Sequence, residues 1–499
     1  MNSETQKIPL IEKFGYGCGN FASCLFWQTI TLYLLFFYTD IFGLAAAAAG
    51  VMIGVSRLLD TFFDVAIGLI ADRTQTRWGR FRPYLLWMAV PLAVAAVLAF
   101  TAPSFGGTTK LVYAYVTFVL FMFMYSAINI PYVALLGVIS GDPIERTSFA
   151  SFQFIGAYIG CLIVSATALP FAKYFGQGSD SKGWQMTVGV YGAAAVVLFL
   201  ITFLSTHERI QPIAKEKTSI KNDLKDLSKS VPFIWLFIIT ILFILFMCIR
   251  MSVTAHYFKY YVGEQASPLL GQLFNFPLKY IVNPVYGIFG KSAVALFDGT
   301  HKFSWETLAS AFNTLGSALS ILGVILVPWF AKVCGRKNAI VILFVTALIC
   351  TGAYYFLKPE NLLLIFVFQV VNSLAGSPIP VLLWVLYADT ADYSEWKTGR
   401  RATGLVFSAS IMSTKFGWTV GSVIAGGILA MTGFVANEVQ TVTALNGLKV
   451  MMSIIPVALG VISLIILMFF YKLDEKTMAK IKAELDERRK AGGEGAATA

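Results

Sequence analysis

Charge is scarce in this chain: Asp, Glu, Lys and Arg make up 13% of its 499 residues, against roughly 25% in an ordinary soluble domain. With 57% hydrophobic residues and a mean hydropathy of +0.72, that shortage excludes water as the main solvent. Cysteine is sparse too. Cys18, Cys24, Cys161, Cys248, Cys334 and Cys350 lie in or beside apolar segments without CxxC spacing, which argues against a disulfide framework or a thiolate metal site. There is no HExxH, no GxSxG and no Cys/His ligand set, so an integral membrane enzyme lacks its nucleophile, base or metal, and no cofactor is expected. A cleavable signal peptide needs a short apolar core. The first apolar stretch, near 14–42, is too long and is expected to stay in the membrane. The formal net charge of +11 could point to nucleic acid, but Lys and Arg sit in short tracts between apolar spans, as topology determinants do. No nucleic-acid partner is expected.

Long apolar runs are what the sequence has in abundance. At about 20 residues per crossing, spans fall near 14–42, 46–70, 84–102, 110–137, 148–172 and 185–205, then near 231–262, 304–332, 338–357, 361–388, 403–433 and 447–471. The expected fold is all-α and integral to the membrane, with twelve transmembrane helices in two six-helix bundles. The bundles occupy 1–206 and 231–472, joined by a charged cytoplasmic linker at 207–230 and followed by a cytoplasmic tail at 473–499. Basic tracts at Arg73, Arg77, Arg80 and Arg82, at Lys332, Arg336 and Lys337, and at Lys397, Arg400 and Arg401 lie on one side if both termini are cytoplasmic, which the positive-inside rule favours. Residues 263–303 carry Pro268, Pro277 and Pro284 and several charges; they read as an external insertion of short amphipathic helices. The segment Lys472–Arg489 has charges spaced for intrahelical pairs and is expected to continue the last span as a helix. ADRTQTRWGR after the second span has a shorter counterpart, AKVCGRK, after the eighth. Such repeats point to a carrier whose halves rock about a central site.

Ionisable residues inside spans cost roughly 2.5 to 3.5 kcal/mol each and need a reason. Arg57, Asp60 and Asp64 follow at spacings of three and four, on one helix face. Two carboxylates about 6 Å apart along a helix repel unless a cation or proton lies between them, a reason to bind Na⁺ or H⁺. The static alternative has Arg57 neutralising Asp60 while Asp64 stays protonated. In the first span Asn20, Trp27 and Gln28 offer amides and a ring to a ligand, or hydrogen bonds to neighbouring helices. Ser126 and Asn129 precede Pro131, whose ring frees a backbone carbonyl, a plausible cavity lining. Arg250 lies in the seventh span, with His256 and Lys259 farther out, where Lys259 is placed to snorkel. Lys415, deep in the eleventh span, needs a partner or an aqueous cavity and is a candidate coupling residue.

SRLLDTFFDVAIGLIADRTQTRWGRFRPY, with KFGYGCGNF before it and YADTADYSEWKTGRRATGLVFS in the second half, resembles the glycoside-pentoside-hexuronide:cation symporters of the major facilitator superfamily over nearly the whole chain. The resemblance implies uptake of a sugar coupled to Na⁺, Li⁺ or H⁺ in the cell inner membrane. By motif it assigns the cation to Asp60, Asp64 and Ser126, and Lys397 to the loop after span ten. This chain departs where the melibiose-type pocket has acids, with Cys24 in helix one and Asn129 in helix four. Gln153 replaces a helix-five arginine, and Phe63 an amide beside the paired acids. Asn129 and Gln153 still suit sugar hydroxyls. Loss of two acids while Arg250 is kept makes a uronide or other anionic glycoside an alternative, and an amphiphile such as a lysolipid another. On the cytoplasmic side Arg77, Arg80, Arg82, Arg146, Lys397 and Arg401 are expected to pair between bundles with Asp142, Glu145, Asp389, Asp392 and Glu395. The expected partners are thus a small-molecule sugar or glycoside, a monovalent cation and membrane lipid.

Overall fold

The computed structural model describes residues 8–487 apart from 105, 141–142, 210–229, 267–301, 399–402, 474–476, 482 and 486. The apolar runs are helical, since backbone amides inside a bilayer have only one another as partners. In order they are α1 (Leu10–Phe36), α2 (Ala46–Arg73), α3 (Arg82–Trp87), α4 (Ala89–Ala99), α5 (Gly107–Ile139), α6 (Pro143–Gly176), α7 (Asp180–Ser205) and α8 (Val231–His256). After a short ladder come α9 (Trp305–Ile325), α10 (Val327–Cys334), α11 (Arg336–Ala353), α12 (Leu362–Gly376), α13 (Pro378–Thr398), α14 (Thr403–Met431), α15 (Val442–Met452) and α16 (Ile454–Ile465). Nine helical stretches among the described residues are long and apolar enough to cross a membrane. The expected spans near 46–70 and 403–433 are helical as α2 and α14.

Several spans are broken, and proline sets where. Proline lacks the amide that would bond the carbonyl four residues earlier. Pro91, Pro380 and Pro456 accordingly follow the ends of α3 at Trp87, α12 at Gly376 and α15 at Met452 by four residues each. Pro131 and Pro170 are accommodated inside α5 and α6. The last turns of α1 and α8 widen into π turns at Phe37–Ile41 and Tyr257–Val262.

The main partners of α1 are α6 and α7, and α14 packs along both α2 and α8. Glycine permits the closest of these approaches: a Cβ on Gly50 of α2 would lie 2.9 Å from Gly426 Cα and 2.9 Å from the Ser422 carbonyl oxygen of α14. Backbone meets backbone there, as small residues allow in bilayers. Two further crossings join the first and second halves of the chain, α1 with α8 and α6 with α9. Apolar side chains such as Phe62, Val65 and Leu69 of α2 remain exposed, as a lipid-facing surface requires.

At the end of α7, the Glu208 carboxylate accepts from the backbone amides of Arg80, Phe81 and Arg82 at 2.9, 2.7 and 3.0 Å. Arg209 donates to both oxygens of Glu12 at 2.7 and 2.8 Å. The basic loop after α2 and the start of the linker are thereby tied to α1 and α7; the rest of the linker lies outside the described residues. Of the insertion, Gln265–Ala266 and Lys302–Phe303 pair antiparallel, while the helices expected between them fall outside the described residues. The tail needs correction. The last span does not run on as one helix: Tyr471–Leu473 is non-helical, because the fully buried Tyr471 turns inward and its carbonyl accepts from Lys337 Nζ at 2.6 Å. Helix resumes at Thr477, with Met478, Ile481 and Leu485 buried against the second core cluster and Trp396 donating to Glu484 at 2.6 Å.

Candidate functional site

The three residues that share a face of α2 lead to different partners. Asp60 is buried, and the Ser126 hydroxyl of α5 donates to its Oδ1. The Lys415 ammonium of α14 lies 2.8 Å from Asp60 Oδ2 and also bonds Asp64 Oδ2. A cation therefore does sit between the two carboxylates, and it is the protein's own. Arg57 makes no direct ion pair with Asp60, although its charge lies close by. Its guanidinium donates to the Trp418 carbonyl at 3.3 Å and lies over the rings of Trp27 and Trp418 at 5.7 and 5.3 Å, while its buried Nε has no partner among the described residues. Cation–π contacts offset part of the desolvation of such a charge. Trp27 also stacks on Tyr125 of α5 at 6.0 Å. Two carboxylates and one hydroxyl suit a monovalent cation, and among the described residues no group of three or more His, Cys, Asp or Glu is placed to hold a metal ion.

Beside this site lies a cavity of about 340 Å³, walled by α1, α6, α8, α9, α12 and α13. Its polar lining includes Gln28, Arg250, Asn313, Ser317, Gln369 and Asn372. Arg250 donates to Gln369 Oε1 at 2.7 Å. In the amide orientation that satisfies both groups, Asn372 accepts from the two Arg250 terminal nitrogens at 2.5 and 3.2 Å. Tyr354 and Phe312 face the guanidinium at 5.1 and 5.9 Å. No Asp or Glu is among the described lining residues. The amides of α9 and α12 were absent from the sequence reading; the signal for them is a run of polar residues, Gln369, Asn372 and Ser373, inside an otherwise apolar span.

Other expected site residues lie apart from this lining. Asn20 of α1 donates to the Gln153 backbone carbonyl of α6 at 3.0 Å, joining two helices. Cys24 packs on the same seam, where a Cβ on Gly160 would lie 2.9 Å from its own. Asn129 is half-buried on α5. Lys397 is exposed in the last turn of α13, its ammonium 5.8 Å from the Tyr393 ring centre, so the loop motif does not bring it to the cavity. Arg146 donates to the Ser140 carbonyl at 2.6 Å. The ion pairs Lys13–Glu145 at 2.7 Å and Arg336–Asp389 at 2.6 Å each join residues of one half of the chain, where pairing between bundles was expected. Asp142 and Arg401 lie outside the described residues. Lys259 does not snorkel; it pairs with Asp40 at 2.8 Å.

A family model described as MFS/sugar transport protein matches residues 15–276 and 285–475. The chain is 35% identical over 489 residues to the isoprimeverose transporter of Lactiplantibacillus pentosus, covering 96% of this chain and 92% of that one. It is 34% identical to the uncharacterized symporter YnaJ of Bacillus subtilis, covering 98% and 97%. Among solved structures, one described for substrate recognition in proton dependent oligopeptide transporters aligns at a TM-score of 0.62 with 11% identity, over 95% of this chain and 99% of that one; at that identity the likeness concerns the fold alone. Helices, motifs and matches agree that the chain belongs to the MFS/sugar transport protein family, with the glycoside-pentoside-hexuronide:cation symporters it resembles, and is a multi-pass membrane transporter and not an enzyme.

Proposed function

We propose that this transporter is a cation-coupled sugar or glycoside symporter of the inner membrane, working by alternating access. Its twelve spans form two six-helix bundles, 1–206 and 231–472, with both termini cytoplasmic; α2, the α3–α4 pair and α14 complete the nine apolar stretches to twelve. The observation that carries the reading is Lys415 Nζ lodged between Asp60 and Asp64, with Ser126 on the same carboxylate. The ammonium stands where the coupling Na⁺ or H⁺ binds. An entering cation replaces it, releases α14 from α2 and so loosens one contact between bundles. The second ligand is placed to feel the change, because adjacent residues of α1 serve both sites: Trp27 stacks within the Arg57–Tyr125–Trp418 group and Gln28 lines the cavity. Coupling then means that each ligand raises affinity for the other.

The amides and hydroxyls of the lining suit a polyhydroxylated substrate, while its Phe, Met and Leu side chains keep an amphiphile as the alternative. The name of the isoprimeverose transporter supports the polyhydroxylated class. One observation favours a second reading. Arg250 faces a cavity with no carboxylate among its described lining residues, which suits an anionic glycoside. The test is uptake into proteoliposomes under imposed Na⁺ or H⁺ gradients, with neutral and anionic glycosides as substrates. Asp64→Asn is expected to abolish gradient-driven accumulation while the protein remains in the membrane. Full accumulation by that variant would overturn the assignment of the cation to this pair.

A further inference from the structure

A second set of buried charges lies at the other end of α1, apart from both sites above. Asp40, in the π turn that ends α1, is fully buried with Thr39 beside it. Around its carboxylate stand His256 Nε2 at 3.2 Å, Lys259 Nζ at 2.8 Å and the Tyr260 hydroxyl, which donates to Oδ1. The Thr39 hydroxyl lies 2.9 Å from the same His256 nitrogen. From the segment after α14, Asn437 donates its side-chain amide to the Asp40 carbonyl at 2.5 Å and accepts from Lys259 at 2.7 Å. Apart from the neighbouring Thr39, whose hydroxyl donates to Oδ2 at 2.7 Å, every partner of Asp40 in this group comes from the second half of the chain, and His256, Lys259 and Tyr260 come from α8 and its own π turn.

Three features mark this cluster as a contact that is made and broken. It joins the halves directly beyond the cavity, since Thr254 of α8 lines the cavity and His256 lies two residues farther out. Asp40 on one side and Lys259 and Tyr260 on the other sit on π turns, whose wider backbone is frequent at functional sites. And His256 Nδ1 is buried without a partner among the described residues, a cost that a permanently packed core avoids. A second pair across the same seam, Lys173 of α6 with Glu306 of α9 at 3.2 Å, is more exposed.

We propose that Asp40, held by His256, Lys259, Tyr260 and Asn437, is the outer gate of this carrier. These are positioning residues for transport: with the cluster assembled the cavity is shut from outside, and with Asp40 withdrawn α1 and α8 part to admit substrate. The proposal rests on the topology given above, with the N-terminus inside. Removing one member of a buried charge group leaves the others unpaired, so Asp40→Ala shifts the population toward the outward-open state.

Native Cys161 lines the cavity and serves as the reporter. The full chain is labelled with a membrane-impermeant maleimide in right-side-out and in inverted vesicles, and modification of Cys161 is followed by peptide mass spectrometry. Asp40→Ala is expected to be labelled from outside roughly tenfold faster than the unaltered protein, within the usual range of coupling between sites, and more slowly from inside. Lys259→Ala should shift in the same direction, and Glu306→Gln less. Outside labelling of Asp40→Ala and Lys259→Ala at the unaltered rate overturns the gate, as does faster labelling from both sides, which signals loosened packing. The readout needs no substrate. A gate that responds as expected in a protein that moves no glycoside would therefore reject the substrate reading and leave the gate standing.

Discussion

Arg250 is the residue on which substrate class turns. Its guanidinium is held by two amide oxygens and two rings and meets no carboxylate on the cavity wall. Neutral acceptors offset only part of the cost of a buried charge; a substrate anion offsets the rest. Arg250→Ala is expected to lower uptake of an anionic glycoside by tenfold or more beyond its effect on a neutral one, since hydrogen bonds to charged groups contribute roughly 1.5–3 kcal/mol. Equal losses for both, measured as initial rates in proteoliposomes, would leave the neutral reading alone. Arg250 was legible in the sequence as an expensive residue, and so were Asp60, Asp64 and Lys415. What the sequence withheld was the pairing. Lys415 stands 355 and 351 positions from its two acids, and no periodicity reaches that far. Asp40 escaped notice for another reason: at the end of an apolar run it reads as an interfacial charge, and only the fold reveals that it is buried.

At the scale of elements, apolar length identified the helices well and their interruptions poorly. The interruptions at Trp87, Gly376 and Met452 were written in Pro91, Pro380 and Pro456, four residues on in each case; the same residue in α5 and α6 leaves the helix whole, so proline alone does not decide. The tail misled because its charge spacing favours helix locally, whereas burial of Tyr471 overrides it at the junction. Helix contacts also had a legible part, the small residues, but not their mates. Gly50 and Gly426 let α2 and α14 meet about three helical turns away from the Lys415 contact. Gly50→Val should force these helices apart at a cost of about 1–3 kcal/mol, lowering the thermal unfolding temperature in detergent. Gly427→Val is the matched control, because a Cβ there meets nothing within 4 Å; comparable losses in both variants would deny the Gly50 contact its role.

For the whole molecule, the proposed division into two halves rests on span counting, which says nothing of how the halves touch. They meet at α2 with α14, α1 with α8 and α6 with α9, and at the first of these Lys415 carries a positive charge from α14 to Asp60 and Asp64. That contact has an electrical consequence. On the proposed cycle the empty carrier returns with Lys415 and Arg57 beside Asp60 and Asp64, so the moving site has no net charge. With the coupling ion seated it carries one positive charge. A membrane potential contributes about 2.3 kcal/mol per elementary charge per 100 mV, and here it acts on the loaded step alone. Sugar uptake should therefore generate inward current and accelerate as the interior is made negative, with Na⁺ or H⁺ alike. Uptake indifferent to voltage would mean that Lys415 sheds its proton when the ion enters. A lysine lodged between two acids, with Arg57 as the second positive charge, thus makes the resting carrier invisible to the electric field that drives its work.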